Sequence, residues 1–181
     1  MGLRDTHDPD RQTLDRLFLA TYEELRRLAS SVRRSDPYAT LSPTTLVHEA
    51  WLKLAGSARF AATSQLHFKR IAGRAMRQVL VEIARRRNAS KRAAGSSAIL
   101  VTFDEALGVE GRCEKEMLAL DAALEELAAM NPRQAVLVES RFFGGLNTTE
   151  IAELLEVSEA TIVRDWRTAK AWLARELRQV S

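Results

Sequence analysis

Residues 142–179 read FFGGLNTTEIAELLEVSEATIVRDWRTAKAWLARELRQ. Asn147 followed three residues later by Glu150 has the pattern of a capping box, with Asn in place of Ser or Thr. Ile151, Leu154 and Leu155 then recur at helical intervals. Glu156-Val157-Ser158 makes the turn, and Ser158 is a good N-cap for the next helix. There Ile162, Trp166, Ala169, Leu173 and Leu177 form a stripe expected to be buried. The face turned away is read as Thr161, Arg164, Asp165, Arg167, Thr168 and Lys170. Two helices joined by a tight turn, the second basic on its exposed side, have the layout of a helix-turn-helix that lays one helix in a DNA major groove. Arg bonds guanine edges bidentately, while Thr and Lys suit phosphates. A merely solvated basic helix is the alternative, and the capped helix and short turn before it weigh against that.

Working outward, Gly144-Gly145 ends a short helix over 133–143, and Asn131-Pro132 separates it from a helical block that starts near Glu114. That block carries Leu118, Leu120, Leu124, Leu127 and Met130. At the other end, Leu14, Leu17, Phe18, Tyr22, Leu25, Leu28 and Val32 mark an amphipathic helix over 12–33, ended by Ser35-Asp36-Pro37. Ser42 caps a second helix with Pro43 at its first position, which stops near Gly56. A loop over 57–63 follows. Ser64 then caps a long helix with Phe68, Ile71, Ala72, Ala75, Met76, Val79, Leu80, Ile83 and Ala84 on its buried side. If it ends near residue 87 it is about 36 Å long. Residues 93–113 read as an interdomain linker. Spacing leaves open whether 99–103 forms a short extended piece.

The chain has 181 residues, 46% of them hydrophobic, with only 8 Gly and 4 Pro. These figures suit one or two small helical domains and argue against wholesale disorder. A single Cys113 precludes an internal disulfide and fits a reducing compartment. No apolar run follows the charged start and no stretch of 18 apolar residues occurs, so neither signal peptide nor membrane insertion is expected. The net charge of +3 hides a segregation. Residues 69–92 hold nine bases (Lys69, Arg70, Arg74, Arg77, Arg85, Arg86, Arg87, Lys91, Arg92) against Glu82. Residues 104–126 hold eight acids against Arg112 and Lys115. Arg70, Arg74, Arg77 and Arg85 are expected on one side of the long helix, opposite its apolar stripe. Such a cationic run exceeds what solubility needs and fits phosphate neutralisation. The acidic block reads as a solvated helix, a surface for a basic partner, or a nucleic-acid mimic. The three His and one Cys show no metal spacing, and no phosphate loop, nucleophile elbow or HExxH is present, so neither enzyme activity nor a cofactor is expected.

With two separate basic elements in place, the chain resembles the extracytoplasmic-function (ECF) branch of bacterial sigma-70-type sigma factors, from about residue 12 to 178. LSPTTLVHEAWLKLAG looks like that family's core-polymerase-binding helix. FKRIAGRAMRQVLVEIARRRNASKR looks like its promoter-melting and −10-reading helix, and residues 120–173, from LDAALEELAAM to TAKAWL, look like its −35-reading domain. The resemblance implies an all-α protein of two small domains. A region 2-like domain (12–92) and a region 4-like domain (114–181), the latter ending in the helix-turn-helix, are joined by the linker (93–113). Leu46, Val47, His48, Glu49, Trp51 and Leu52 would bind core RNA polymerase. Phe60, Ser64 and Gln65 would hold an unstacked base, and Arg74, Arg77, Gln78, Arg85 and Arg86 would contact the −10 region. Thr161, Arg164, Asp165, Arg167, Thr168 and Lys170 would contact the −35 region. Implied partners are core polymerase, promoter DNA and, as a further candidate, an anti-sigma factor, in a bacterial cytoplasm. The chain departs from the family where two acids and a Gln often stand in the core-binding helix; here Thr44, Thr45 and His48 occupy those places.

Two rival readings remain open at this level. A helix-turn-helix regulator binding duplex DNA as a dimer would leave the helix at 69–92 without a role. An inactive sigma-like adaptor would bind polymerase without opening a promoter.

Overall fold

The computed structural model describes residues 9–34, 42–56, 64–94 and 114–179. They form seven helices and no strand: α1 (Pro9–Arg34), α2 (Pro43–Ala55), α3 (Gln65–Ala94), α4 (Glu114–Met130), α5 (Pro132–Phe142), α6 (Thr148–Leu154) and α7 (Glu159–Gln179). The all-α class expected from the sequence is what the chain adopts.

The helix starts follow from local side-chain chemistry. Ser42 Oγ accepts from the Thr45 amide at 3.0 Å, Ser64 Oγ from His67 at 3.1 Å and Ser158 Oγ from Thr161 at 3.2 Å. Asn131, expected only as a breaker, also caps α5 by accepting from the Gln134 amide at 3.2 Å, with Pro132 at the first helical position. At α6 the capping box is complete. Asn147 Oδ1 accepts from Glu150 N at 2.9 Å, and Glu150 Oε2 accepts from Asn147 N at 2.8 Å. Asn147→Ala should therefore lower stability by about 1 kcal/mol in urea denaturation. An unchanged midpoint would mean that α6 is held by its packing alone.

Helix α3 runs past residue 87 to Ala94. After Gly73 no Gly or Pro occurs until Gly95, so nothing stops the helix near residue 87. The expected linker from residue 95 onward, the piece at 99–103 and the loop at 57–63 lie outside the described residues.

Two hydrophobic clusters hold the helices. One joins Leu14, Leu25 and Ala29 of α1, Leu46, Val47, Ala50 and Leu54 of α2, and Phe68, Ala72, Ala75, Met76 and Val79 of α3. The other gathers the apolar faces of α4 to α7 with Phe143 and Leu146, and it also takes Val81 and Ala84 from α3. Helix α3 thus serves both clusters. The two groups of helices meet there almost backbone to backbone. A Cβ on Gly73 would lie 2.6 Å from Gly144 N and 2.7 Å from Phe143 C. Only glycine permits that approach. Gly145 follows with φ of +68°, turning the chain from α5 toward α6.

Candidate nucleic-acid interface

Helix α3 has three faces. Phe68, Ala72, Ala75, Met76 and Val79 look toward α1 and α2. Arg74, Gln78, Arg85 and Arg86 are exposed, with Arg70 half-buried at their edge. Arg74 and Gln78 bond no other described residue. Arg85 reaches Asp121 Oδ2 at 3.4 Å but keeps most of its surface in solvent.

The third face corrects the sequence expectation. Arg77, expected outward with Arg74, is only 8% exposed. It lies four residues beyond Gly73 and eight beyond Lys69, which puts all three on the side facing α4, α5 and α6. Its guanidinium donates to Asp121 Oδ1 (2.7 Å from Nη2, 3.0 Å from Nε), to Glu125 Oε1 (2.6 Å) and to Glu139 Oε1 (3.0 Å). Burial by itself would lower its pKa. The hydrogen bonds to Asp121, Glu125 and Glu139 outweigh that and raise it above the ordinary arginine value. Lys69, 7% exposed, is paired with Glu24 of α1 and, at 3.2 Å, with Glu150 of α6. Its pKa too is raised, burial being overcome by bonds to the two carboxylates. Among the three readings of the acidic block, Asp121 and Glu125 therefore have a definite role: they cover a cation of the same chain. Glu139 and the Gly73–Gly144 contact carry no assignment in the sequence, which gives Lys69 only to the cationic run and Glu150 only to the capping box. The one local signal was a glycine in mid-helix, which marks a close approach.

On α7, Arg164, Arg167 and Thr168 are exposed and Thr161 and Lys170 half-buried. Neither Arg164 nor Arg167 is ion-paired among the described residues. Asp165 does not share their face. It is 5% exposed and accepts from Arg133 Nε of α5 at 2.7 Å. It lies three residues after Ile162 and four before Ala169, both fully buried, so helical period turns it inward. Asp165 thus ties α7 to α5. Trp166 fixes the other flank, with Phe142 5.9 Å away and the Arg141 guanidinium 4.7 Å above its ring. The turn before α7 is closed by Val157 N donating to Ala152 O at 3.0 Å, with Glu156 at φ of 53°.

The residues expected on α2 divide. Leu46 and Val47 are buried in the first cluster and hold α2 against its neighbours, so they are not surface residues in this arrangement. His48 and Glu49 are exposed, Leu52 is 62% exposed, and Trp51 is half-buried with its ring 4.4 Å from Phe18. Ser64 and Gln65 are exposed at the start of α3, Ser64 spending its hydroxyl on the cap. Phe60 lies outside the described residues.

Among the described residues no group of three or more His, Cys, Asp or Glu is placed to hold a metal ion, and no helix is long and apolar enough to cross a membrane. No curated protein and no solved structure shows significant similarity to the chain. A profile described as ECF sigma factor matches residues 2–179, nearly the full length, and the chain therefore belongs to the ECF sigma factor family, whose members are DNA-binding factors of transcription initiation rather than enzymes.

Proposed function

We propose that this sigma factor binds core RNA polymerase and brings it to specific promoters, reading a −35 element with α7 and opening the −10 region with α3. Two cationic surfaces on separate helices carry the reading: Arg164 and Arg167 on α7, and Arg74 with Gln78, Arg85 and Arg86 on α3. Arg74, Arg164 and Arg167 stand exposed with no carboxylate partner among the described residues, as groups that meet phosphate or base edges do. A duplex-binding regulator needs only one such surface.

In this scheme residues 12–92 act as the core-binding and −10 unit and 114–181 as the −35 unit, joined by 93–113. The polymerase surface is the outer side of α2, where His48, Glu49 and Leu52 are exposed beside Trp51. Thr161, Thr168 and Lys170 flank the two arginines on α7, while Asp165 positions the helix. Ser64 and Gln65 at the start of α3, together with Phe60, capture an unstacked base. The protein works in the cytoplasm and supplies no catalytic group; its binding free energy favours the melted promoter. A protein that covers these surfaces would act as an anti-sigma factor.

In vitro transcription with core polymerase tests this. Promoter-specific transcripts are expected, and Arg164→Ala or Arg167→Ala should weaken −35 recognition by about 1–3 kcal/mol. Absence of any promoter-specific transcript, with duplex binding retained, would favour the regulator instead.

A further inference from the structure

We propose that Lys69, Gly73 and Arg77 form a second, masked phosphate-binding stripe on α3. Carboxylates of the same chain shut it in the free protein, and it opens to take the sugar-phosphate backbone of promoter DNA. The proposal rests on the DNA-binding reading above and adds a site to it.

The spacing puts the two cations on one helix face, about 12 Å apart along the axis, with a bare glycine midway. Along one edge the stripe adjoins the half-buried Arg70 and the exposed Arg74, so uncovering it widens an existing cationic ridge rather than creating a new one. In the closed state each cation is held by groups that imitate phosphate oxygens. Glu24 and Glu150 hold Lys69; Asp121, Glu125 and Glu139 hold Arg77. Even with Arg85 counted at Asp121, three cations face five carboxylates. The surplus acids repel one another, and that repulsion is relieved when the two groups of helices part.

Gly73 supports the same reading. A glycine inside a helix is destabilising relative to alanine, so its presence calls for a reason. In the closed state the reason is the backbone of residues 143–144, which fills the space where a side chain would lie. In the open state the same bare backbone lets a nucleic-acid strand approach closely between the two cations. Four of the five carboxylates lie outside α3's own cluster of helices or on its rim, so DNA and the closed packing compete for one surface.

The test uses the full chain opened in two independent ways. Asp121→Asn with Glu139→Gln removes carboxylates without changing shape; Gly144→Ala, on the opposite wall, crowds Lys69 O of α3 and leaves the bare backbone at Gly73 intact. X-ray scattering reports opening, and fluorescence anisotropy over a salt series reports binding to promoter and random duplexes of equal length. Both opened forms should expand and should bind either duplex about tenfold more tightly, because phosphate contacts carry no sequence information. The slope of log K against log salt should steepen by roughly two. Adding Lys69→Gln and Arg77→Gln to either form should abolish the gain and the extra slope. Opened forms with unchanged affinity and slope would make the stripe a packing feature only and overturn the proposal. So would carboxylate variants that stay as compact as the parent. If the parent chain still yields promoter-specific transcripts in that event, only the masked stripe falls; if it yields none, the reading on which it rests falls too.

Discussion

Phe68→Ala is expected to lower the stability of the folded chain by about 3–5 kcal/mol, measured by urea denaturation at neutral pH. The ring is 0% exposed, and it sits where all three N-terminal helices meet, with Leu25, Val47, Ala50, Leu54, Ala72 and Met76 in the same cluster. Its backbone is fixed as firmly as its side chain, because the amide donates to Ser64 O at 2.9 Å in the capped first turn. Neighbours on three rigid helices collapse poorly into the space left behind, which puts the cost at the upper end of the usual range. Phe68→Leu keeps most of the volume and should lose much less. A loss below about 1 kcal/mol for the alanine variant would mean that the three helices are not closely packed.

Arg77→Leu is expected to weaken the closed arrangement by about 3–5 kcal/mol, because it strands Glu139 without a counter-charge and leaves Asp121 only the exposed Arg85 at 3.4 Å. Both carboxylates are largely buried, at 17% and 10% side-chain exposure, whereas Glu125 at 71% remains hydrated and loses little. Hydrating the two acids requires α4 and α5 to leave α3, so the variant should open rather than unfold. Faster amide hydrogen exchange in α4 and an expanded scattering profile would report this, with the first cluster intact. Adding Asp121→Asn and Glu139→Gln to Arg77→Leu should restore compactness, since the unpaired charges are then gone. An Arg77→Leu protein that stays closed would show that the cluster is solvated and contributes little.

What was legible in the sequence was what short-range chemistry determines. Ser42, Ser64, Asn147 and Ser158 cap helices because each hydroxyl or amide meets a backbone amide three residues on, and such pairs can be read directly from the chain. Asp165 was legible as well but was misplaced: its spacing from Ile162 and Ala169 already turns it inward, and its charge argued for the wrong face. The inner face of α3 was not legible. Arg77 meets partners 44, 48 and 62 residues away, and Lys69 meets one 81 residues away. No periodicity distinguishes a cation awaiting a distant carboxylate from one awaiting a phosphate. The segregation of bases and acids into separate segments hinted at the pairing without specifying it. On α2 the apolar pattern mixed two kinds of residue, Leu46 and Val47 that hold the helix down and Leu52 that faces outward, and only burial separates them.

The unequal sharing of α3 gives the chain a direction of assembly. The cluster of α1, α2 and α3 uses nothing beyond residue 83, so it is complete in its own terms before α4 is synthesised. The later cluster is not: it borrows Val81 and Ala84. On a ribosome that delivers the N-terminal part first, the early helices can set while the rest is still in the exit tunnel. They then present a finished surface on which α4 and α5 condense. Helix α3 serves as the template for the later half of the molecule, and a defect in it is inherited by everything translated afterwards.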